Sequence, residues 1–198
     1  AREGPLRLRG VVPGLTRHLP RAPAARMKID DDDFTLFGLP RRHALDRADL
    51  DQRWRALQGE VHPDRFAAQG DAAQRLAMQW AVRVNEAHAR LKDPLRRAAY
   101  LCELAGVPID AERNTAMPAA FLMQQMEWRE ALDDAAGEAA VQALDDAVAA
   151  AEAALLADVA AALDERADAT AAASGVRALM FVRRFRDDVG RRLDALAS

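Results

Sequence analysis

Two stretches of the chain carry hydrophobic residues at intervals of three and four, which is the spacing of an amphipathic helix. The first stretch follows a possible N-cap at Asp46 or Asp49 and must end at Pro63. Its stripe consists of Leu50, Trp54, Leu57 and Val61. The second stretch starts at a possible N-cap at Asp71 and ends before Pro94. Its stripe consists of Ala73, Leu76, Trp80, Val84, Ala87 and Leu91. Two facing stripes predict an antiparallel helical hairpin with both tryptophans in its core.

Short helices are predicted on both sides of this hairpin. The acidic run at 30–33 places negative charge where a helix would begin, and that piece closes at the Gly-Leu-Pro of 38–40. After the hairpin, another helix continues to about Ala105. These elements predict an N-terminal helical domain over 27–105, followed by a linker over 106–117.

The second half of the chain predicts three longer helices, near 118–135, 138–166 and 171–196. Gly137 separates the first two, and Ser174-Gly175 or the residues just before them separate the last two. The middle helix has a hydrophobic residue at every third or fourth position, as an antiparallel bundle requires. No β pattern remains. We therefore predict an all-α protein with a C-terminal three-helix bundle over 118–198.

The first helix of this bundle has more large hydrophobic residues than one core face needs. At about 100° per residue, one arc forms an adequate core face. It consists of Phe121, Gln125, Trp128, Ala131, Leu132 and Ala135. The opposite arc carries Leu122, Met123 and Met126, interleaved with acidic residues. Flexible methionines ringed by charge are typical of a protein-binding patch, although a second neighbouring helix could equally cover them.

One aromatic residue of the last helix also lies off the core arc. Val182 and Phe185 share one arc, whereas Phe181 is about 100° from Val182, beside Arg177 and Arg184. We expect Phe181 at an edge of the bundle. Core packing alone would explain most phenylalanines in such a position.

The distribution of charge argues against nucleic-acid binding. The net charge of −3 divides into +5 over residues 1–26, zero over 27–105 and −8 over 106–198. An acidic C-terminal half repels polyanions. The longest uncharged stretch has 13 residues, fewer than the roughly 18 that a bilayer span needs. We predict neither a nucleic-acid partner nor a membrane segment.

Cysteine and histidine usage argues against a metal centre. Cys102 is the only cysteine, so the chain forms no internal disulfide and no cysteine-based zinc site. We interpret Cys102 as a core residue. His18, His43 and His88 are far apart and have no ligand spacing. We predict no metal and no cofactor, and a reducing compartment fits best.

Residues 1–26 contain six arginines and four prolines. The prolines prevent a helix of useful length, so we expect disorder there. Our interpretation is a non-native extension ahead of a true start at Met27. A mitochondrial transit peptide is the alternative, but the prolines disrupt the amphipathic helix that it needs.

The tripeptide His62-Pro63-Asp64 lies in the loop between the two hairpin helices. In an enzyme, His62 could act as a base oriented by Asp64, but the sequence offers no nearby serine or cysteine nucleophile. A structural interpretation is that Pro63 ends the helix and Asp64 caps the turn. The tripeptide alone is a weak signal, so its context decides.

In this context the tripeptide, followed by Arg65-Phe66, resembles the signature of J-domain proteins. The stretches 84–94 and 97–101 are similar to the closing part of that domain. The opening 34–40 and the later 121–130 resemble, more narrowly, the HscB-type co-chaperones of iron-sulfur cluster assembly. The four segments in this order and spacing are a specific match, which covers about residues 31–196.

The resemblance implies a co-chaperone without enzymatic activity. Its loop would dock on a DnaK-type chaperone of the HscA kind and stimulate ATP hydrolysis, while the C-terminal helices would hold an IscU-type scaffold protein. The implied chaperone-binding residues are His62, Pro63, Asp64 and Arg65. The implied scaffold-binding residues are Leu122, Met123, Met126, Glu127, Glu130, Asp134 and Phe181.

The sequence departs from the family pattern just before the tripeptide. J-domains usually carry a basic or aromatic residue there, whereas this chain has Gly59-Glu60-Val61. Arg47, Arg53 and Arg55 keep an electrostatic attraction to an acidic chaperone surface, which we expect to be weaker. A general J-domain protein with another client and a hydrolase using His62 remain alternatives. We expect the bacterial cytoplasm, with the mitochondrial matrix as the second choice.

Overall fold

The computed structural model of the protein describes residues 28–109 and 117–197, and all regular structure in these ranges is helical. The α-helices are α1 (Asp33–Leu36), α2 (Arg47–Val61), α3 (Asp71–Lys92), α4 (Pro94–Leu104), α5 (Ala119–Asp134), α6 (Glu138–Asp164) and α7 (Ala169–Leu196), with a 3₁₀ helix over Pro63–Gln69. The all-α prediction is confirmed. The predicted extension over 1–26 and the middle of the predicted linker, 110–116, lie outside the described residues. Of the helices described, none has the length and apolarity to cross a bilayer.

The described residues form two compact units. The first contains the chain up to Arg41 together with Leu45–Asp93, and the second contains Arg42–Ala44 and the chain from Pro94 onward. Helix α4 thus belongs to the second unit, although the sequence predicted a boundary near residue 105. The reason is that the hydrophobic side of α4 packs into a core with α6 and α7. That core contains Leu95, Ala98, Cys102, Val159, Ala162, Ala172, Val176 and Leu179.

The first unit is built on the predicted hairpin. Asp46 caps α2 by accepting hydrogen bonds from the backbone of Ala48 (2.8 Å) and Asp49 (3.3 Å). Helices α2 and α3 are antiparallel, because polar contacts join early residues of one to late residues of the other. These contacts are Asp51 with His88 (2.7 Å) and Trp54 with Asn85 (3.0 Å).

The two tryptophans of the hairpin differ from the prediction in one respect. Trp80 is buried in the core as expected. Trp54 is only half-buried, and its ring stacks on His88 with centroids 4.5 Å apart. Its indole nitrogen donates to Asn85, so it lies at the polar margin of the hairpin.

Helix α1 is anchored by charge as well as by its hydrophobic side. Asp33 is fully buried and forms ion pairs with Arg83 (2.7 Å) and Arg90 (2.9 Å), both on α3. At the other end of α1, Arg53 donates to the carbonyl of Phe37 at 2.9 Å. The acidic run thus holds α1 against α3 in addition to starting the helix.

The second unit contains a three-helix bundle of α5, α6 and α7 with α4 packed beside it. Ion pairs join α6 to α7 in antiparallel order: Arg186 with Asp145 (3.1 Å), and Arg183 and Arg186 with Glu152 (3.2 and 3.0 Å). Cys102 lies in the core of this unit, and burial raises the pKa of its thiol to about 11. It is a packing residue, as predicted.

Of the two predicted positions for the last helix break, Ser174-Gly175 is wrong, and the break lies before it, as in the alternative. Helix α7 runs without interruption from Ala169, and the turn lies before it, at residues 165–168. Gly175 faces α6 so closely that a Cβ there would clash with the side chain of Val159. The glycine therefore permits a close helix approach and does not end a helix.

His43 is buried in the segment 42–44 of the second unit. Its ring Nε2 lies 3.1 Å from the carbonyl oxygen of Pro94, and its backbone N–H donates to Asp164 at 2.6 Å. Burial lowers the pKa of His43. A neutral ring can donate this hydrogen bond, so the residue has a structural explanation.

Candidate partner-binding sites

The His62-Pro63-Asp64 turn follows α2 directly, and Pro63 and Asp64 are the first two residues of the 3₁₀ helix. His62 has extended backbone angles (φ −61°, ψ 128°), and Pro63 begins the following turn, where its fixed φ is tolerated. The Nδ1 atom of His62 accepts from the backbone N–H of Asp64 at 3.4 Å. A neutral ring in this arrangement carries its proton on Nε2. The side chain of His62 is 55% exposed and that of Asp64 is 87% exposed, so the turn is open to a partner.

The turn is supported by its neighbours on both sides. Val61 and Phe66 are buried and fix the chain before and after it. The guanidinium of Arg65 donates to the carbonyl of Gly59 at 2.9 Å, which closes the turn onto the last part of α2. Sequence reasoning did not find this support, because any residue at position 59 offers the same carbonyl.

The same geometry gives little support to catalysis. His62 and Asp64 are both exposed, and the single cysteine is buried in the other unit. Over residues 28–109 and 117–197, no group of three histidine, cysteine or carboxylate side chains could hold a metal ion. The turn is exposed to solvent, and it has neither a nucleophile nor a buried base.

The predicted patch on α5 is exposed. Leu122 is 45% exposed, and Met123 and Met126 are each 63% exposed. On the opposite side of α5, Trp128 is 7% exposed and stacks on Phe185 with ring centroids 5.9 Å apart. The alternative that a neighbouring helix covers the patch therefore fails for the part of the chain that the structure describes.

One residue of the predicted core arc of α5 deviates from it. Ala131 is exposed, whereas Gln125 is half-buried. The core side of α5 is consequently narrow and depends on its aromatic residues. Phe121, Leu132 and Ala135 complete it as half-buried residues.

The remaining predicted scaffold-binding residues lie on α5 and α7. Glu127, Glu130 and Asp134 are exposed on α5, and Glu127 accepts a hydrogen bond from Gln124 at 3.0 Å. Phe181 of α7 is half-buried and packs edge-on against Phe121, with ring centroids 6.0 Å apart. The structure thus brings Phe181 to α5 and places it at the bundle edge that the sequence predicted.

Comparisons with known proteins agree with the resemblance found in the sequence. Residues 117–190 match a family model described as the HSCB C-terminal oligomerisation domain. A co-chaperone protein HscB homolog from Burkholderia multivorans is 53% identical over 173 residues, which is 86% of this chain and 98% of the relative. The chain belongs to the HscB family. A second HscB homolog, from Burkholderia vietnamiensis, is 51% identical over the same share of both chains.

Solved HscB structures have the same fold. The chaperone HscB from Vibrio cholerae is 38% identical, with a TM-score of 0.73, over 84% of this chain and 99% of that one. Human co-chaperone protein HscB is 27% identical, with a TM-score of 0.80, over 96% of this chain and 94% of that one. The predicted combination of an N-terminal J-domain and a C-terminal helical bundle is confirmed. The Burkholderia relatives and the human protein are named as co-chaperones.

Proposed function

We propose that the protein is a co-chaperone of iron-sulfur cluster biogenesis that brings an IscU-type scaffold to a DnaK/HscA-type ATPase. The observation that carries this proposal is the exposed patch of Leu122, Met123 and Met126 on a helix whose other side is bundle core. Three large apolar side chains in water are unfavourable unless a partner covers them. The proposed functional parts are a J-domain over 27–105, a linker over 106–117 and a client-binding domain over 118–198.

The chaperone arm of the proposal is the turn of His62, Pro63, Asp64 and Arg65. Its exposed imidazole and carboxylate are available to a partner, and Arg65 holds the turn closed. Of the nearby arginines on α2, Arg47 and Arg53 pair with carboxylates on their own helix. Arg55 is exposed and is left as the main source of attraction to an acidic chaperone surface.

The client arm is the patch on α5 with its acidic border and Phe181. Apolar anchors surrounded by charge are the usual anatomy of a protein interface. Glu127, Glu130 and Asp134 supply that border, and they favour a client with basic residues beside an apolar centre. We propose neither a nucleic-acid nor a membrane partner.

The proposal assigns no catalytic step to this chain, because the protein would act by stimulating the ATPase of another protein. It also places the protein in the bacterial cytoplasm, consistent with its Burkholderia relatives. A J-domain protein with a different client is the alternative, and it differs only in what the α5 patch binds.

A steady-state ATPase assay tests the chaperone arm. A DnaK/HscA-type chaperone should hydrolyse ATP faster with the wild-type protein, and His62→Gln should abolish the stimulation while preserving helicity and scaffold binding, since the residue is exposed. ATP hydrolysis by this protein alone would favour the hydrolase. Stimulation without scaffold binding in a calorimetric titration would favour the different client.

A further inference from the structure

We propose that Arg184 of α7 is a specificity-determining residue of the scaffold-binding surface and that it recognises a carboxylate on the partner. The inference rests on the proposed function and extends it. The predicted acidic border requires only basic groups on the client. An arginine at the same patch adds the opposite requirement, so that the client must present charges of both signs.

Three arginines occur within one turn of α7, and the bundle uses only two of them. Arg183 and Arg186 pair with Glu152, and Arg186 also pairs with Asp145, all on α6. Arg184 is exposed, and no carboxylate among the described residues pairs with it. Its charge is therefore free for an external partner.

Ring contacts place Arg184 at the level of the apolar patch. Phe121 meets Phe181, and Trp128 meets Phe185, so α5 and α7 run in the same direction. The segment 121–128 of α5 thus lies alongside 181–185 of α7. The three exposed apolar residues of α5 fall between the two ring contacts, and so does Arg184 on α7.

The direction of Arg184 around α7 also favours the patch. Residues three apart on a helix are surface neighbours, so Arg184 lies one turn from Phe181 on the same side. Arg183 and Arg186 define the side of α7 that faces α6, and Arg184 is turned away from it. Arg184 is therefore a rim residue beside Phe181, next to the groups proposed to contact the scaffold.

Among protein side chains, a carboxylate is the best partner for a rim arginine, because the planar guanidinium matches the two carboxylate oxygens. Acidic residues on α5 and a basic residue on α7 would then fix how the partner is oriented over the apolar centre. Rim charges act mainly on association rate and on partner choice, and their effect falls with salt.

Charge reversal in calorimetric titrations with purified IscU-type scaffold tests this proposal. Arg184→Glu should weaken binding by about 3- to 10-fold near 0.05 M salt, and by less than about 2-fold near 0.5 M salt. Arg191→Glu is the control for charge reversal elsewhere on the helix, since Arg191 is exposed on the same side of α7 two turns further on, beyond both ring contacts, and pairs with Asp188 of its own helix. It should leave the affinity within about 2-fold.

The outcomes separate this proposal from the one on which it rests. The assignment of Arg184 would be overturned if Arg184→Glu binds as tightly as wild type, or if Arg191→Glu loses as much affinity. Either result would leave the proposed function standing. A loss that does not change with salt would also overturn the assignment, because a structural defect is not screened. A wild-type protein that fails to bind the scaffold would overturn both proposals.

Discussion

Truncation of Met123 and Met126 tests whether the α5 patch is an interface or part of a core. Met123 and Met126 are each 63% exposed, so only about a third of each side chain is covered in the folded protein. Full burial of such a side chain is worth about 1.5 to 3 kcal/mol. The double change Met123→Ala and Met126→Ala should therefore cost at most about 1 kcal/mol of folding stability per residue.

The loss of scaffold affinity should be larger than this loss of stability. Truncating an apolar anchor at the centre of an interface costs about 1 to 2 kcal/mol or more. Two such losses imply at least a tenfold weaker complex, since about 1.4 kcal/mol corresponds to a factor of ten. A calorimetric titration with the scaffold measures the affinity, and a thermal melt of the same sample measures the stability.

Trp128→Ala is the matched control on the opposite side of α5. Its side chain is buried against Phe185, so truncation should lower the free energy of unfolding by about 3 to 5 kcal/mol. The reasoning is refuted if the double methionine variant melts early and binds the scaffold normally. That result would mean that the patch is part of a core and that the client binds elsewhere.

Two further predictions concern stability. Gly175→Ala should lower the free energy of unfolding by about 1 to 2 kcal/mol in urea titrations, because the new Cβ would clash with Val159. Gly190→Ala, on an open side of α7, should raise the free energy of unfolding by about 0.5 to 1 kcal/mol. If both variants change the free energy of unfolding in the same direction, the packing argument is contradicted. Partial burial alone would raise the pKa of Asp32, but hydrogen bonds from Arg41 and a threonine outweigh it and lower the pKa from 3.8 to about 2. Because the folded-state pKa is the lower one, Asp32 contributes about 1 to 2 kcal/mol above about pH 4 and loses it as the pH falls toward 2. The difference in unfolding free energy between wild type and Asp32→Asn should be constant above about pH 5 and shrink as the pH falls toward 2, and a difference that stays constant down to about pH 2 would exclude this contribution.

The hairpin could be predicted closely because caps, prolines and stripes agree. Asp46 caps α2 and Pro63 follows the end of that helix. Helix α3 begins at Asp71 as expected, but its N-cap is Gly70 and no side chain caps it, so the predicted cap at Asp71 is wrong. Each signal is local, so a single sequence is enough to find it. The close match of predicted and observed bounds follows from this agreement between independent signals.

The partner of α4 could not be predicted in the same way. A hydrophobic stripe shows that a helix needs cover, but it does not show which helix supplies it. Adjacency in sequence suggested the first domain, whereas Leu95, Ala98 and Cys102 pack with the second unit. Gly175 is similar, since a glycine can break a helix or admit a neighbour, and only the position of Val159 decides.

The candidate sites were predictable in part. Helical periodicity placed Leu122, Met123 and Met126 off the core arc, and only the structure showed that no described neighbour covers them. Their role as scaffold contacts came from the family resemblance and remains a proposal. The free charge of Arg184 had no signal in the sequence, because ion pairing across α6 and α7 distinguishes it from Arg183 and Arg186.

Coupling of two binding sites on one chain can be measured with two variants that each lose one site. His62→Gln keeps the α5 patch, and the double methionine variant keeps the His62 turn. In an ATPase assay containing the chaperone and the scaffold, the wild-type protein should stimulate hydrolysis more than it does without scaffold. An equal mixture of the two variants should lack this extra stimulation, because no single chain delivers the scaffold to the ATPase. Full stimulation by the mixture would contradict the proposal that one chain must hold both partners.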